Sequence, residues 1–449
     1  MVKVRAGLEK VKEDYRHVVP PEAILQMCQV HEHRFRQRIL GPVETVYLFL
    51  IQILHGNAAC SGLRHLAGMA CSVNAYCQAK ARLPLAVFRA LLHWVCQSLR
   101  DVTDAARLWH GHRVFHVDGS SFSMPDTPEL QGAFGQPGGQ KAGCGFPVAR
   151  LLAMFDAATG MILDVLASPL RTHEMSQVSS MHPSLRPGDV LVGDRGFCSY
   201  VHLALLSLRR MHAVFRIHQR ILVDFRPGRR HAPPGVRKSP KGLPRSKWLR
   251  AVGVQDQIVE WYRPRSRPTW MTREQFERLP ESLTLRELSY RIETPGYRTR
   301  EIALVTTLLD PHQYPAEDLA ELYRCRWQVE VNLRHLKQTM GMDVMRCKSP
   351  EGVLKEMLMF AMVYNLVCAV AYDAAAQQGV PPDRISFIDA LRWLRTWEPG
   401  INLITLIVNP RRPGRFEPRV VKRRSKQYKL MTEPRTVLRK RLLEQKDAA

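Results

Sequence analysis

The chain holds 449 residues, 45% of them hydrophobic and 24% charged, which suits a globular protein with several domains and at least one sizeable core. A formal net charge of +25 points to a polyanionic partner, nucleic acid first. It argues against a membrane-surface protein, because no basic amphipathic helix or lipidation signal accompanies it.

The opening stretch "MVKVRAGLEKVKEDYRH" is charged throughout and does not read as a signal peptide. Helical patterns follow from Pro20 to about Val102, in "VETVYLFLIQILHG", "SGLRHLAGMA" and "LPLAVFRALLHWVCQSL". This region, residues 1–105, is expected to be an all-helical N-terminal domain that binds DNA or dimerises. A packing module is an equal reading of the pattern alone. The ten cysteines are scattered without a Cys-x-x-Cys pair, as expected of free thiols in a reducing cytoplasm. In "WHGHRVFH", His110, His112 and His116 suggest a metal cluster, but no Cys or carboxylate partner stands at zinc spacing.

The texture turns to β at Arg113. "VFHVDGSSF" is an apolar strand ending in Asp118, and a Gly- and Pro-rich loop runs from Pro125 to Pro147. "VARLLAMFDAATGMILDVLAS" reads as two strands with a turn near Ala157 to Gly160, "THEMSQVSSMH" as a helix start, and "RPGDVLVGDRGF" as a strand running into Asp194. "MHAVFRI" is a further strand, so residues 106–218 read as the first part of an α/β core. From 219 to 301 the chain is Pro- and Arg-rich, then alternates as antiparallel strands, which predicts a β-rich insertion with Trp248, Trp261 and Trp270 in or beside it. Helix returns over 302–400. The apolar run "MLMFAMVYNLVCAVAY", interrupted by Asn365, is short for a membrane span and reads as a buried core helix. The tail, 401–449, is strongly basic.

Within that second helical part, "LYRCRWQVEVNLRHLK" combines an apolar seam with a second stripe. Tyr323, Arg326, Glu330 and Lys337 fall within an arc of roughly 60° at about 100° per residue. A solvated face with i,i+4 ion pairs is the plain explanation. The two strand-end aspartates change it. In α/β sheets ligands gather beyond the carboxyl ends of strands, so Asp118 and Asp194 can be neighbours, and Glu330 on a helix packed beside them completes a triad. Three clustered carboxylates repel unless a cation joins them, and Mg²⁺ favours oxygen ligands.

The spacing Tyr-x-x-Arg-x-x-x-Glu-x-x-x-x-x-x-Lys, as Tyr323, Arg326, Glu330 and Lys337, resembles the signature of DDE transposases of the insertion-sequence-four family. "VDGSSF" and "GDRGF" are similar to the regions carrying that family's first two acids, and "HGNAACSGL" and "YCQAKARLP" look like family features. The resemblance spans roughly residues 20 to 400. It implies an α/β, ribonuclease-H-like catalytic core, interrupted by the β-rich insertion and preceded by the helical domain. Asp118, Asp194 and Glu330 would be catalytic and would bind two Mg²⁺ or Mn²⁺ ions, with Tyr323, Arg326 and Lys337 on DNA phosphates. It further implies a bacterial, cytoplasmic, nucleoid-associated enzyme acting as a homodimer on double-stranded DNA. That enzyme cuts at its element's terminal inverted repeats and joins the freed 3′ ends to target DNA. A catalytically silent DNA-binding regulator on the same scaffold, or a metal-dependent nuclease, are the alternative readings. Some relatives park a flipped base against a tryptophan of the insertion, and for each of Trp248, Trp261 and Trp270 a core or strand-face position is the plainer reading.

Overall fold

The computed structural model describes residues 18–447 except 37–38, 68–71, 101–107, 235, 237–241, 293–300, 396–402 and 411–430. The basic run "PRRPGRFEPRVVKRRSKQYKL" and the charged N-terminal stretch therefore lie almost wholly outside the described residues.

The N-terminal region is helical: α1 (Pro21–Val30), α2 (Pro42–Leu54), α3 (Val73–Arg82) and α4 (Leu85–Arg100). Both α1 and α2 begin on a proline in the first turn, where no intrahelical N–H is needed. Ser72 caps α3 by accepting from the Ala75 N–H.

The centre is mixed α/β. Strands β1 (Val114–Ser123), β2 (Val148–Asp156), β3 (Ile162–Pro169), β4 (Val190–Gly193), β5 (His212–Arg216), β6 (Lys247–Gly253), β7 (Asp256–Tyr262), β8 (Ser282–Arg291) and β9 (Glu301–Thr306) form one nine-stranded sheet. Its order is β3-β2-β1-β4-β5-β9-β8-β7-β6. The first three strands are an antiparallel meander, and β4 and β5 run parallel to β1. The β2–β3 turn is held by Asp156, whose Oδ1 accepts from the Ala158 and Thr159 N–H groups, and Gly160 closes it at φ 73°. Strands β6, β7 and β8 extend this same sheet through β9, which pairs with β5 on one side and β8 on the other.

Helices α5 (Pro128–Phe134), α6 (Glu174–Val178) and α7 (Tyr200–Leu208) lie between core strands. After β9 come α8 (Ala316–Cys325), α9 (Trp327–Arg334), α10 (Pro350–Gln378), α11 (Phe387–Arg395) and, near the end, α12 (Arg435–Asp447). By length and composition α10 could cross a membrane, yet the apolar window is 94% buried inside the protein. It packs on α2, α4, α11 and β3. Asn365 fits this setting because it bonds both ways to Ile162, accepting its N–H at 2.7 Å and donating to its carbonyl at 2.8 Å. Glu356, also buried, accepts from Asn57 at 2.5 Å and from the Arg346 and Cys347 N–H groups at 2.8 Å. Lys355 donates to the Ala81 carbonyl at 2.9 Å. The two N-terminal segments "HGNAACSGL" and "YCQAKARLP" thus supply the partners that dock the helical region on α10.

Candidate active site

The parallel pairing of β1 with β4 ends at Val117 opposite Gly193, so the next residue on each strand is Asp118 and Asp194. The two aspartates are adjacent across the sheet. Asp118 is not at the physical end of its strand, as the apolar run suggested. β1 continues to Ser123 against β2, and only its β4 side is released at this point. That release gives Asp118 one open flank while the other stays hydrogen-bonded.

The segment bearing Glu330 packs on β1. Tyr323 Oη donates to Asp194 Oδ1 at 3.1 Å. Arg326 reaches Asp118 Oδ2 at 3.5 Å through one terminal nitrogen and Glu330 Oε1 at 3.3 Å through the other. The Arg326 guanidinium therefore links Asp118 to Glu330, while Tyr323 holds Asp194. Lys337 pairs instead with Asp343, at 3.3 Å. The continuous helix expected from Leu322 to Lys337 is not observed. Bonds of i to i−3 type, Arg326 N–H to Tyr323 and Val329 N–H to Arg326, tighten the chain between α8 and α9. Residues 335–339 then widen into a π-turn. The tight step turns Arg326 between Asp118 and Glu330, and the wide one coincides with His335 stacked on Phe387, ring centroids 4.4 Å apart.

Electrostatics follow from this geometry. Burial pushes the Asp118 carboxyl up to about 6; the Gly119 N–H and Arg326 pull it down, and Glu330 and Asp194 push it further up. Burial also raises the Tyr323 phenol, with Asp194 adding to the rise. For Arg326 burial works against the charge, but Tyr323, Asp118, Asp194 and Glu330 together hold the guanidinium above its ordinary range. The donor set is three carboxylates with one counter-charge, which is the chemistry a hard divalent cation matches. Among the described residues no group of three or more His, Cys, Asp or Glu side chains is gathered closely enough to hold an ion as it stands. Arg326 lies between them.

Other candidates fall elsewhere. His110 bonds Asp318 at 2.8 Å, while His112 bonds the Gly188 carbonyl at 2.6 Å and Tyr314 at 2.7 Å, a tether for the start of α8. Trp261 is buried with its indole N–H on Glu287 at 2.7 Å, and Trp248 and Trp270 are half-buried. Trp327, between Arg326 and Glu330, is 54% exposed and was not singled out by the sequence. His116, the third histidine of a run whose spacing argued against zinc, is buried on β1, on the face that Asp118 shares by two-residue alternation. That alternation was legible.

Residues 109–366, more than half of the chain, match the family model "Transposase DDE domain". The chain belongs to the DDE transposases. Transposase InsG for insertion sequence element IS4, from Escherichia coli (strain K12), is 24% identical over 375 residues, which cover 77% of this chain and 78% of that protein. That relative is an IS4 transposase, of the group whose Tyr-Arg-Glu-Lys signature the spacing resembles. Putative transposase InsZ, also from Escherichia coli (strain K12), is 30% identical over 92 residues, 20% of this chain and 31% of that one. A piggyBac transposase in a synaptic complex with hairpin DNA aligns over 85% of this chain and 78% of that chain, at TM-score 0.43 and 10% identity, too distant for argument. The transposase is a DNA-binding enzyme of DNA cleavage and strand transfer, in a family that uses divalent metal ions.

Proposed function

We propose that Asp118, Asp194 and Glu330 are the metal-holding catalytic acids of this transposase, and that the order β3-β2-β1-β4-β5 is a ribonuclease-H-like core. The observation that carries the reading is the register of β1 on β4, which sets Asp118 beside Asp194, with Arg326 joining Asp118 to Glu330. Bound by these carboxylates, two Mg²⁺ or Mn²⁺ ions would supply Lewis acidity on both sides of the reacting phosphorus. The chain's own residues do the rest. Arg326 offers a planar fork to non-bridging phosphate oxygens, Tyr323 a hydroxyl, and Lys337 a compact positive charge once released from Asp343.

In this reading 1–105 is the helical domain that grips DNA or a second copy, and 106–218 with 302–400 form the catalytic core. Residues 219–301 form the inserted sheet extension, and 401–449 a basic tail. The substrate is duplex DNA carrying the element's inverted repeats, cut at its ends and joined to target DNA by a homodimer in the bacterial cytoplasm. The test uses purified protein on a labelled end duplex. Asp118→Asn, Asp194→Asn and Glu330→Gln are each expected to lose end cleavage by at least about a thousand-fold while retaining end binding in gel shift. Strand transfer by any of the three at the wild-type rate overturns the assignment.

A further inference from the structure

We propose that Arg326 stands where a divalent cation would pull Asp118 and Glu330 together, and that His116 is the positioning residue that receives the displaced guanidinium. This rests on the reading of the three acids as metal ligands.

The first step is a matter of charge. The two terminal nitrogens of Arg326 face Asp118 Oδ2 and Glu330 Oε1, and Asp194 lies near enough to stabilise the same charge. A divalent ion needs these same oxygens. Like charges a few ångströms apart repel, so guanidinium and ion exclude one another. Arg326 must therefore yield before the carboxylates can close.

The second step is where it can go. The Arg326 side chain is only 13% exposed, so its neighbourhood is mostly protein. Its Nε–H is buried and makes no hydrogen bond. His116 Nε2 is also buried without a partner, on the same face of β1 as Asp118. The Arg326 charge lies close to this imidazole. A neutral imidazole with its proton on Nδ1 offers Nε2 as an acceptor. One orphaned donor and one orphaned acceptor in one buried neighbourhood are each costly alone and satisfy each other if they meet. The shift withdraws the fork from the carboxylates at the moment an ion arrives, and because His116 takes only Nε–H it leaves the two terminal nitrogens for a phosphate.

The test is Mn²⁺ binding to the full chain without DNA, read by electron paramagnetic resonance of free Mn²⁺ and by calorimetry. Arg326→Gln removes the competitor and is expected to bind Mn²⁺ about ten-fold more tightly than wild type. His116→Phe removes the acceptor and is expected to bind several-fold more weakly, whereas His116→Asn, whose amide can accept, stays near wild type. In the Arg326→Gln background His116→Phe is expected to have no further effect. Unchanged or weaker binding by Arg326→Gln overturns the competition, and a His116→Phe effect that persists without Arg326 overturns the role of His116. Wild-type protein showing no Mn²⁺ site that Asp118→Asn abolishes would instead remove the metal reading beneath both. Circular dichroism checks folding, and His116→Leu replaces His116→Phe if the latter does not fold.

Discussion

Gly119, the residue after Asp118, sits in a strand rather than a turn, and its φ is not positive. Its reason is space. A Cβ there would lie 2.2 Å from Glu174 Oε1, and Glu174 cannot easily retreat because Arg150 holds it at 2.6 Å. Gly119→Ala is expected to cost about 1–3 kcal/mol, measured by urea unfolding, with Glu174→Ala restoring part of it in the double variant. Equal losses in single and double variants would place the cost elsewhere. The sequence showed "DG" and allowed a turn or a site. Glu174 lies 55 positions further along, and nothing in "THEMSQ" announces that it fills the space beside Gly119.

At the scale of elements, the turn after Asp194 is underpinned by two buried histidines. His202 Nδ1 bonds the Phe197 carbonyl at 2.8 Å, and its Nε2 lies 3.0 Å from His182 Nε2. Both rings are neutral, because burial lowers His182 to about 3 and His202 to about 4. In the unfolded chain both titrate near about 6.5, so between the two sets of values the unfolded state binds more protons. Their contribution is complete above the unfolded pKa and is lost as pH falls from there toward the folded values. Melting temperature between pH 7.5 and 4 is expected to fall less steeply in His182→Gln than in wild type; parallel curves would refute this. The strands themselves were legible, since "VFHVD" and "VLVGD" are apolar runs that end the same way and pair in that register. The break at Arg326 and the π-turn after it were not. Helical periodicity reports which side faces the core, but the local tightening accompanies contacts with Asp118 and Glu330, one of them on a distant strand.

For the whole molecule the dominant quantity is the +25 charge carried by 66 Lys and Arg against 41 Asp and Glu. Binding to a duplex without the element's ends is expected to weaken by roughly 10³ to 10⁵ between 50 and 200 mM salt if six to ten phosphates are neutralised. Fluorescence anisotropy across that range measures it, and a flat response would exclude the backbone as the main source of affinity. The buried pair Arg286–Asp256 braces β7 and β8 against the chain just before α8, because Arg286 also donates to the Tyr314 carbonyl at 2.6 Å. Composition could show neither this brace nor that β6, β7 and β8 would continue the central sheet.

The placement of α10 has a consequence for biosynthesis. The helices that lean on it are made first, yet the residues they lean on lie some three hundred positions later, as Asn57 and Glu356 illustrate. While the nascent polypeptide is still leaving the ribosome, the apolar flanks of α2 and α4 await a partner that has not been synthesised. A newly translated molecule must therefore keep that surface from aggregating until its own later half emerges.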